Sequence, residues 1–71
     1  MVATDNRGNI MVLDKGNNRI QFFTPDMEYI CSLSTKSPKR VAVMKNDLVV
    51  VTSWDSDTVN ILRIPDCAKV G

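Results

Sequence analysis

The apolar residues of this chain occur in short runs that are separated by Asp, Asn, Gly and Pro. Val, Ile, Phe and Thr dominate the runs, a division that is typical of strands and turns. No run shows the 3.6-residue spacing of an amphipathic helix. The pattern predicts an antiparallel meander of seven strands, at about residues 2–5, 9–14, 18–24, 28–34, 39–44, 48–53 and 58–64.

Two of these runs are apolar at consecutive positions instead of alternating. They are IMVL, from Ile10 to Leu13, and LVVV, from Leu48 to Val51. Side chains alternate between the two faces of a strand, so a strand with one solvent-exposed face should alternate between apolar and polar residues. We therefore expect both faces of these strands to be covered by other sheets.

The chain also contains an internal repeat, in which VATDNRGNIMVLDKGNNRIQFF matches VAVMKNDLVVVTSWDSDTVNIL after a shift of about 39 positions. Repeats of about 40 residues with four short strands each are typical of β-propeller blades. The predicted fold is therefore all-β, an antiparallel meander forming a partial propeller of about one and three-quarter blades. In this interpretation residues 1–36 form the first blade and residues 37–71 form a second, incomplete one. The matched segments are Val2-Ala3 with Val41-Ala42, Ile10–Leu13 with Leu48–Val51, and Ile20–Phe23 with Val59–Leu62.

The first copy resembles the NHL repeat. The NHL pattern runs roughly Val-Ala-Val-Asp, then Gly-Asn-Ile-Tyr-Val-Ala-Asp, then Gly-Asn-His/Arg-Arg-Ile-Gln-Val-Phe and Pro-Asp-Gly. The chain follows this pattern in VATD, GNIMVLD, GNNRIQFF and PD, while the second copy keeps only the strand pattern. Met27 stands where the family has glycine, which predicts a positive φ or a changed turn.

The resemblance implies a recognition surface and no catalysis. It is closest to the NHL region of tripartite motif ubiquitin ligases, whose ligase activity lies in a RING domain that this sequence lacks. A protein-interaction scaffold is the function we expect, with an RNA-binding propeller surface as the alternative. A part of an NHL-like lyase or hydrolase is a third, less favoured hypothesis. NHL propellers close with about six blades, so we expect neighbouring blades from a longer parent chain or from a homo-oligomer.

The amino-acid composition limits the kinds of catalytic and metal-binding site that the chain can form. The sequence has no histidine, which excludes Ser-His-Asp, Cys-His and His-based metal sites within it. We therefore expect no catalytic residue, no metal and no cofactor. Nine basic and eight acidic residues give a net charge of +1, without the overall basic excess of a dedicated nucleic-acid binder.

The two cysteines lack the spacing of a zinc or redox motif, so Cys31 and Cys67 are predicted to be free thiols, one in a strand and one near a loose end. The sequence shows no membrane span and no signal-peptide pattern, which predicts a cytoplasmic protein without a membrane partner.

Six residues are candidates for contact with a protein or single-stranded RNA partner. Basic residues cluster at the start of the second copy, and a basic loop there suits phosphate contact, although a solvated loop is the simpler interpretation. Trp54, in a turn, could anchor a partner or cap an apolar edge of its own sheet. Arg19 is expected to contact Asp14 across the first hairpin, which leaves a ligand role as its second interpretation. The candidates are Lys15, Arg19, Lys36, Lys39, Arg40 and Trp54.

Overall fold

A computed structural model describes residues 1–69, and this part of the chain is all-β. It contains seven strands and two single turns of 3-10 helix, at Lys15–Asn17 and Asp66–Ala68. All seven predicted strands are present, and their ends agree with the prediction to within one residue. The strands are β1 (Val2–Thr4), β2 (Ile10–Asp14), β3 (Arg19–Phe23), β4 (Tyr29–Ser34), β5 (Pro38–Met44), β6 (Leu48–Ser53) and β7 (Val59–Arg63).

The strands form two antiparallel sheets whose order follows the chain. The first sheet is β1-β2-β3-β4 and the second is β5-β6-β7. The predicted meander is confirmed. The chain passes from one sheet to the other at residues 35–37, close to the predicted division between 1–36 and 37–71. The last two residues of the second predicted unit, Val70 and Gly71, lie outside the described residues.

The hydrophobic core lies between the two sheets. In β2 and β6 the buried residues alternate with partly buried ones, so each strand turns one face toward the core. The expectation that both faces are covered was wrong for the described chain, because the outer face of each sheet has no third layer against it. The buried apolar residues are Met11, Leu13, Ile20, Phe22, Val41, Val49, Val51, Ile64 and Ala68.

The strand pairing confirms the internal repeat and corrects its alignment. The registers of the two sheets become identical in all three equivalent strands when Val2 is placed on Val41 and the chain is followed without a gap. We call this superposition the gapless shift. It places Ile10–Leu13 on residues 49–52, so the predicted match to Leu48–Val51 was wrong by one residue. The predicted register pairs apolar residues only, whereas the observed one places Leu13 on Thr52, so polarity favoured the wrong register. The equivalent pairs are Val2–Val12 with Val41–Val51, and Met11–Phe22 with Val50–Ile61.

The corrected alignment shows how the sheets are stacked. Met11 of β2 faces the core, but its equivalent in β6 is Val50, which lies on the outer face. The core-facing residues of β6 are Val49 and Val51 instead. A one-residue offset moves a side chain to the opposite face of a strand. The inner face of the first sheet is thus equivalent to the outer face of the second, and the sheets stack front to back.

The two cysteines form a disulfide, so the prediction of free thiols was wrong. After β7 the chain folds back toward the first sheet, and the 3-10 turn Asp66–Ala68 contacts β4. Ala68 is fully buried there, and its carbonyl oxygen accepts a hydrogen bond from Asn9 Nδ2 at 3.0 Å. This packing brings the Cα atoms of Cys31 and Cys67 to 6.3 Å. The bridge joins the end of the second sheet to the outermost strand of the first.

An ion pair joins the sheets at the end of the molecule where β1 and β5 finish. Arg7 Nη1 and Nη2 donate to the two carboxylate oxygens of Asp47 at 2.5 and 3.2 Å. The hydrogen bond to Arg7 lowers the pKa of Asp47. On the same loop Asp5 Oδ1 accepts the backbone N–H groups of Arg7 and Asn9, which fixes the loop that presents the arginine.

The turn between β3 and β4 contains the backbone strain that the sequence predicts. Met27 has a φ of 68°, which is the left-handed region that favours glycine. Its N–H donates to the carbonyl oxygen of Thr24 at 2.8 Å and closes the turn. Among residues 1–69 no helix has the length and apolar character needed to cross a bilayer.

Candidate functional site

Trp54 occupies the turn between β6 and β7, at the end of the molecule opposite the Arg7–Asp47 pair. Its side chain is 56% exposed. The backbone N–H of Trp54 donates to the carbonyl oxygen of Ser37 at 2.9 Å, and Ser37 Oγ donates to Asp55 Oδ2 at 2.9 Å. These bonds hold the turn against the segment that links the sheets. An exposed aromatic ring is therefore presented from an anchored backbone.

Two lysines lie close to the indole ring. Lys39 Nζ is 4.8 Å from the ring centroid, and Lys15 Nζ is 5.2 Å from it. Both distances are within the range of cation–π attraction, which is worth about 0.5–1 kcal/mol at exposed sites. Lys15 comes from the first sheet's hairpin turn, and Lys39 comes from β5 of the second sheet. The aromatic and cationic groups thus meet only in the folded chain.

An open groove of about 340 Å³ lies beside Trp54. Leu13 and Pro38 give it an apolar floor, since both are buried, while the lysines and Arg40 give it a basic rim. A neighbouring groove of about 300 Å³ shares Lys39 and Arg40 and extends toward the polar turn before β7. The first groove, which we call the Trp54 groove, is lined by Met1, Leu13, Lys15, Pro38, Lys39, Arg40 and Trp54.

Asn18 positions both sides of this groove. It has a φ of 52°, a left-handed conformation that asparagine tolerates better than most residues. Its carbonyl oxygen accepts the N–H of Thr35 at 3.0 Å, and its Oδ1 accepts the N–H of Ser37 at 2.9 Å. The turn that carries Lys15 is thereby tied to the linker that supports Trp54.

Arg19 is held by Asp14, as the sequence predicts. Arg19 Nε donates to Asp14 Oδ2 at 3.1 Å, and the same oxygen accepts hydrogen bonds from Asn17 and Gln21 at 3.0 and 2.9 Å. The bond from Asn17, followed by that from Arg19, lowers the pKa of Asp14. Arg19 does not line the Trp54 groove, so the structure favours its interpretation as a hairpin-stabilising residue.

The structure brings four of the six candidate residues together: Lys15, Lys39, Arg40 and Trp54. Lys36 is exposed and lines neither groove. Its carbonyl oxygen accepts the Ser53 hydroxyl at 3.3 Å, which gives it a role in the linker backbone.

The residues that build the groove without being charged or aromatic were not predicted from the sequence. Leu13 and Pro38 belong to strands, and only the stacking of the sheets places them side by side. The one local signal was Asn18, because asparagine in a short hairpin turn is a frequent carrier of left-handed backbone. Within residues 1–69 no group of three or more acidic, cysteine or histidine side chains is arranged to hold a metal ion.

Comparison with known proteins gives no match: no family model, no curated protein and no solved structure is significantly similar to this chain.

Proposed function

We propose that this chain is part of an NHL-like β-propeller and serves as a protein-interaction scaffold. The support for a propeller is the front-to-back stacking of two sheets whose registers coincide under the gapless shift. Successive blades of a propeller are related by a rotation, which preserves register and turns the same face of each blade toward the next. The likeness to the substrate-recognition region of tripartite motif ubiquitin ligases is the basis for expecting a protein partner.

The observation that carries the binding role is the exposed Trp54 at the edge of a groove with an apolar floor. Tryptophan is enriched among the residues that dominate binding energy at protein interfaces, where it inserts beside apolar groups. Leu13 and Pro38 can receive an apolar side chain of a partner, while Lys15 and Lys39 can contact its acidic groups. The backbone bonds of the turn keep Trp54 in place before binding.

Single-stranded RNA is the second candidate ligand, and it is favoured by one specific observation. Lys15, Lys39 and Arg40 all lie around the same aromatic ring. Single-strand binders combine basic side chains that contact phosphates with aromatic rings on which bases stack. The two candidates differ in how strongly binding depends on salt, because only phosphate contacts release many condensed counterions.

Trp54 is the only tryptophan of the chain, so its fluorescence reports on the groove directly. The test is to screen the chain on an array of random peptides and to titrate the best peptide, and separately a 12-nucleotide oligouridine, against this fluorescence. A protein scaffold predicts that a peptide binds with little salt dependence and that Trp54→Ala, followed with a labelled peptide, costs roughly 2 kcal/mol or more.

An RNA surface predicts instead that oligouridine affinity falls steeply with salt and that Lys39→Gln reduces the slope by about 0.7. Lys36→Gln is the matched control, since it removes the same charge from an exposed residue outside the groove. If neither probe perturbs Trp54, or if Lys36→Gln acts like Lys39→Gln, the groove is not a binding site.

A further inference from the structure

Each outer face of the molecule carries exposed apolar side chains, which on the second sheet share the face with polar and basic residues. On the second sheet, Val59 and Ile61 are 58% and 63% exposed. On the first sheet, Val2 and Tyr29 are 64% and 56% exposed, and Tyr29 packs edge-on against Phe23 at 5.7 Å between ring centroids. Several exposed apolar residues on one face of a sheet are a reason to ask whether that face is an interaction surface.

The repeat shows what kind of surface each outer face is. Under the gapless shift Val59 and Ile61 are the equivalents of Ile20 and Phe22, which are fully buried against the second sheet. In the same way Val2 is the equivalent of Val41, which is 7% exposed because it packs against the first sheet. Each outer face therefore repeats a surface that is already an interface inside the chain.

We propose that the outer face of the second sheet binds the outer face of the first sheet of another copy of this chain. The contact repeats the stacking of the first sheet on the second, so it is heterologous: two different faces meet, one from each copy. Repetition of such a contact generates a closed ring or an open stack, according to whether the rotation closes. The chain itself carries both faces that the contact needs.

Side-chain size supports a second copy as the occupant. Inside the chain the larger residues Met11 and Phe22 of the first sheet share one core with the smaller Val49 and Val51 of the second. On the outer faces the sizes are reversed. The second sheet presents Val50 and Val59 where the first has Met11 and Ile20, while the first sheet presents larger aromatic residues. The small side chains of one outer face can thus accommodate the large ones of the other.

The size reversal is visible at single positions. Phe23, on the outer face of the first sheet, is the equivalent of the smaller Leu62, which packs against the core. Interiors are close-packed, and core layers that pair large with small residues reach that density without strain. Self-association of this kind does not depend on which ligand the Trp54 groove takes.

The test uses two variants, each of which disrupts the apolar surface of one outer face. Ile61→Arg places a charge on the outer face of the second sheet, and Val2→Arg places one on the outer face of the first. Both side chains are more than half exposed, so the fold is expected to persist, which circular dichroism checks. Met27→Arg is the matched control, because Met27 is 59% exposed and lies in a turn outside both faces.

Sedimentation velocity and light scattering then measure mass over a range of concentrations. The wild type and Met27→Arg are expected to exceed the monomer mass of 7.9 kDa and to grow with concentration, while each face variant alone stays monomeric. In an equimolar mixture, Ile61→Arg keeps the unaltered outer face of the first sheet and Val2→Arg keeps that of the second. The mixture is therefore expected to form a dimer of twice the chain mass and to stop there.

Three results would overturn the proposal. A wild type that stays at 7.9 kDa at millimolar concentration has no such contact. Assemblies that survive either face variant use other surfaces. A mixture that stays monomeric while the wild type associates shows that the two faces do not bind each other, as would be the case for a symmetric contact of one face with itself.

Discussion

Reduction of the Cys31–Cys67 bridge should remove most of the stability of this chain. The two cysteines are separated by 36 residues, and the bridge joins the last turn to the outermost strand of the first sheet. In the chain-entropy model, closing a loop of this length disfavours the unfolded state by about 4 kcal/mol. A core from a chain of 71 residues supplies only about 3–5 kcal/mol by itself. The reduced chain is thus expected to be largely unfolded at room temperature.

The measurement is urea unfolding with and without a phosphine reductant, followed by circular dichroism and by Trp54 fluorescence. The oxidised chain should unfold in a cooperative transition, and the midpoint of the reduced chain should lie at a much lower urea concentration. Cys67→Ser should resemble the reduced wild type and should not respond to reductant. Equal midpoints before and after reduction, with two free thiols titrated, would refute the chain-entropy reasoning.

The bridge also bears on where the protein acts. Disulfides persist in oxidising compartments, whereas the cytoplasm keeps thiols reduced. We therefore expect the Cys31–Cys67 bridge to form only in oxidising surroundings, and the cytoplasmic location stays a prediction from the sequence.

Three further perturbations test local features. Met27→Gly should stabilise the chain by about 1 kcal/mol in urea unfolding, because glycine adopts the φ of 68° without strain; Met27→Ala removes the same side chain and should give no such gain. Gly8→Ala should destabilise by about 1 kcal/mol, since Gly8 has a φ of 83° while the nearest atom to an added Cβ is 4.0 Å away; an unchanged midpoint would show that backbone strain is not the cost. Asp14 has a lowered pKa in the folded chain, so its contribution is present above the unfolded value and is lost as pH falls through the folded one. Asp14→Asn should then reduce the loss of unfolding free energy that the wild type shows as the pH is lowered. An unchanged dependence of the unfolding free energy on acidic pH would contradict the assignment.

The strands could be predicted because their signals are local. Apolar runs and the turn residues between them fix the ends of each strand to within one residue. The contact between Asp14 and Arg19 could also be predicted, because a short hairpin turn places the two residues opposite each other.

The disulfide and the groove could not be predicted in the same way. Cys31 and Cys67 meet because the chain reverses after β7 and packs Ala68 against the first sheet; Pro65 and Asp66 signal a turn, but not the strand against which the chain then packs. Trp54 and Lys15 meet because the two sheets stack, which is a relation between turns of different sheets. The one-residue error in matching β2 with β6 arose because a match by polarity sets Leu13 on Val51, whereas the hydrogen-bond register makes the polar Thr52 its equivalent.

The absence of any gap in the superposition of the two copies has a consequence for how a gene of this kind can change in length. Unequal recombination that aligned the codon of Val2 with that of Val41 would add or remove one repeat. Because the registers of both sheets are preserved by that alignment, every strand in the product would still find its partner, and no new turn would be required. A duplicated first sheet would place Phe23 where the smaller Leu62 now packs, so strand register would be inherited while side-chain size would have to adjust. Repeat number can thus change without a change in strand pairing, and only the packing between neighbouring sheets has to adapt.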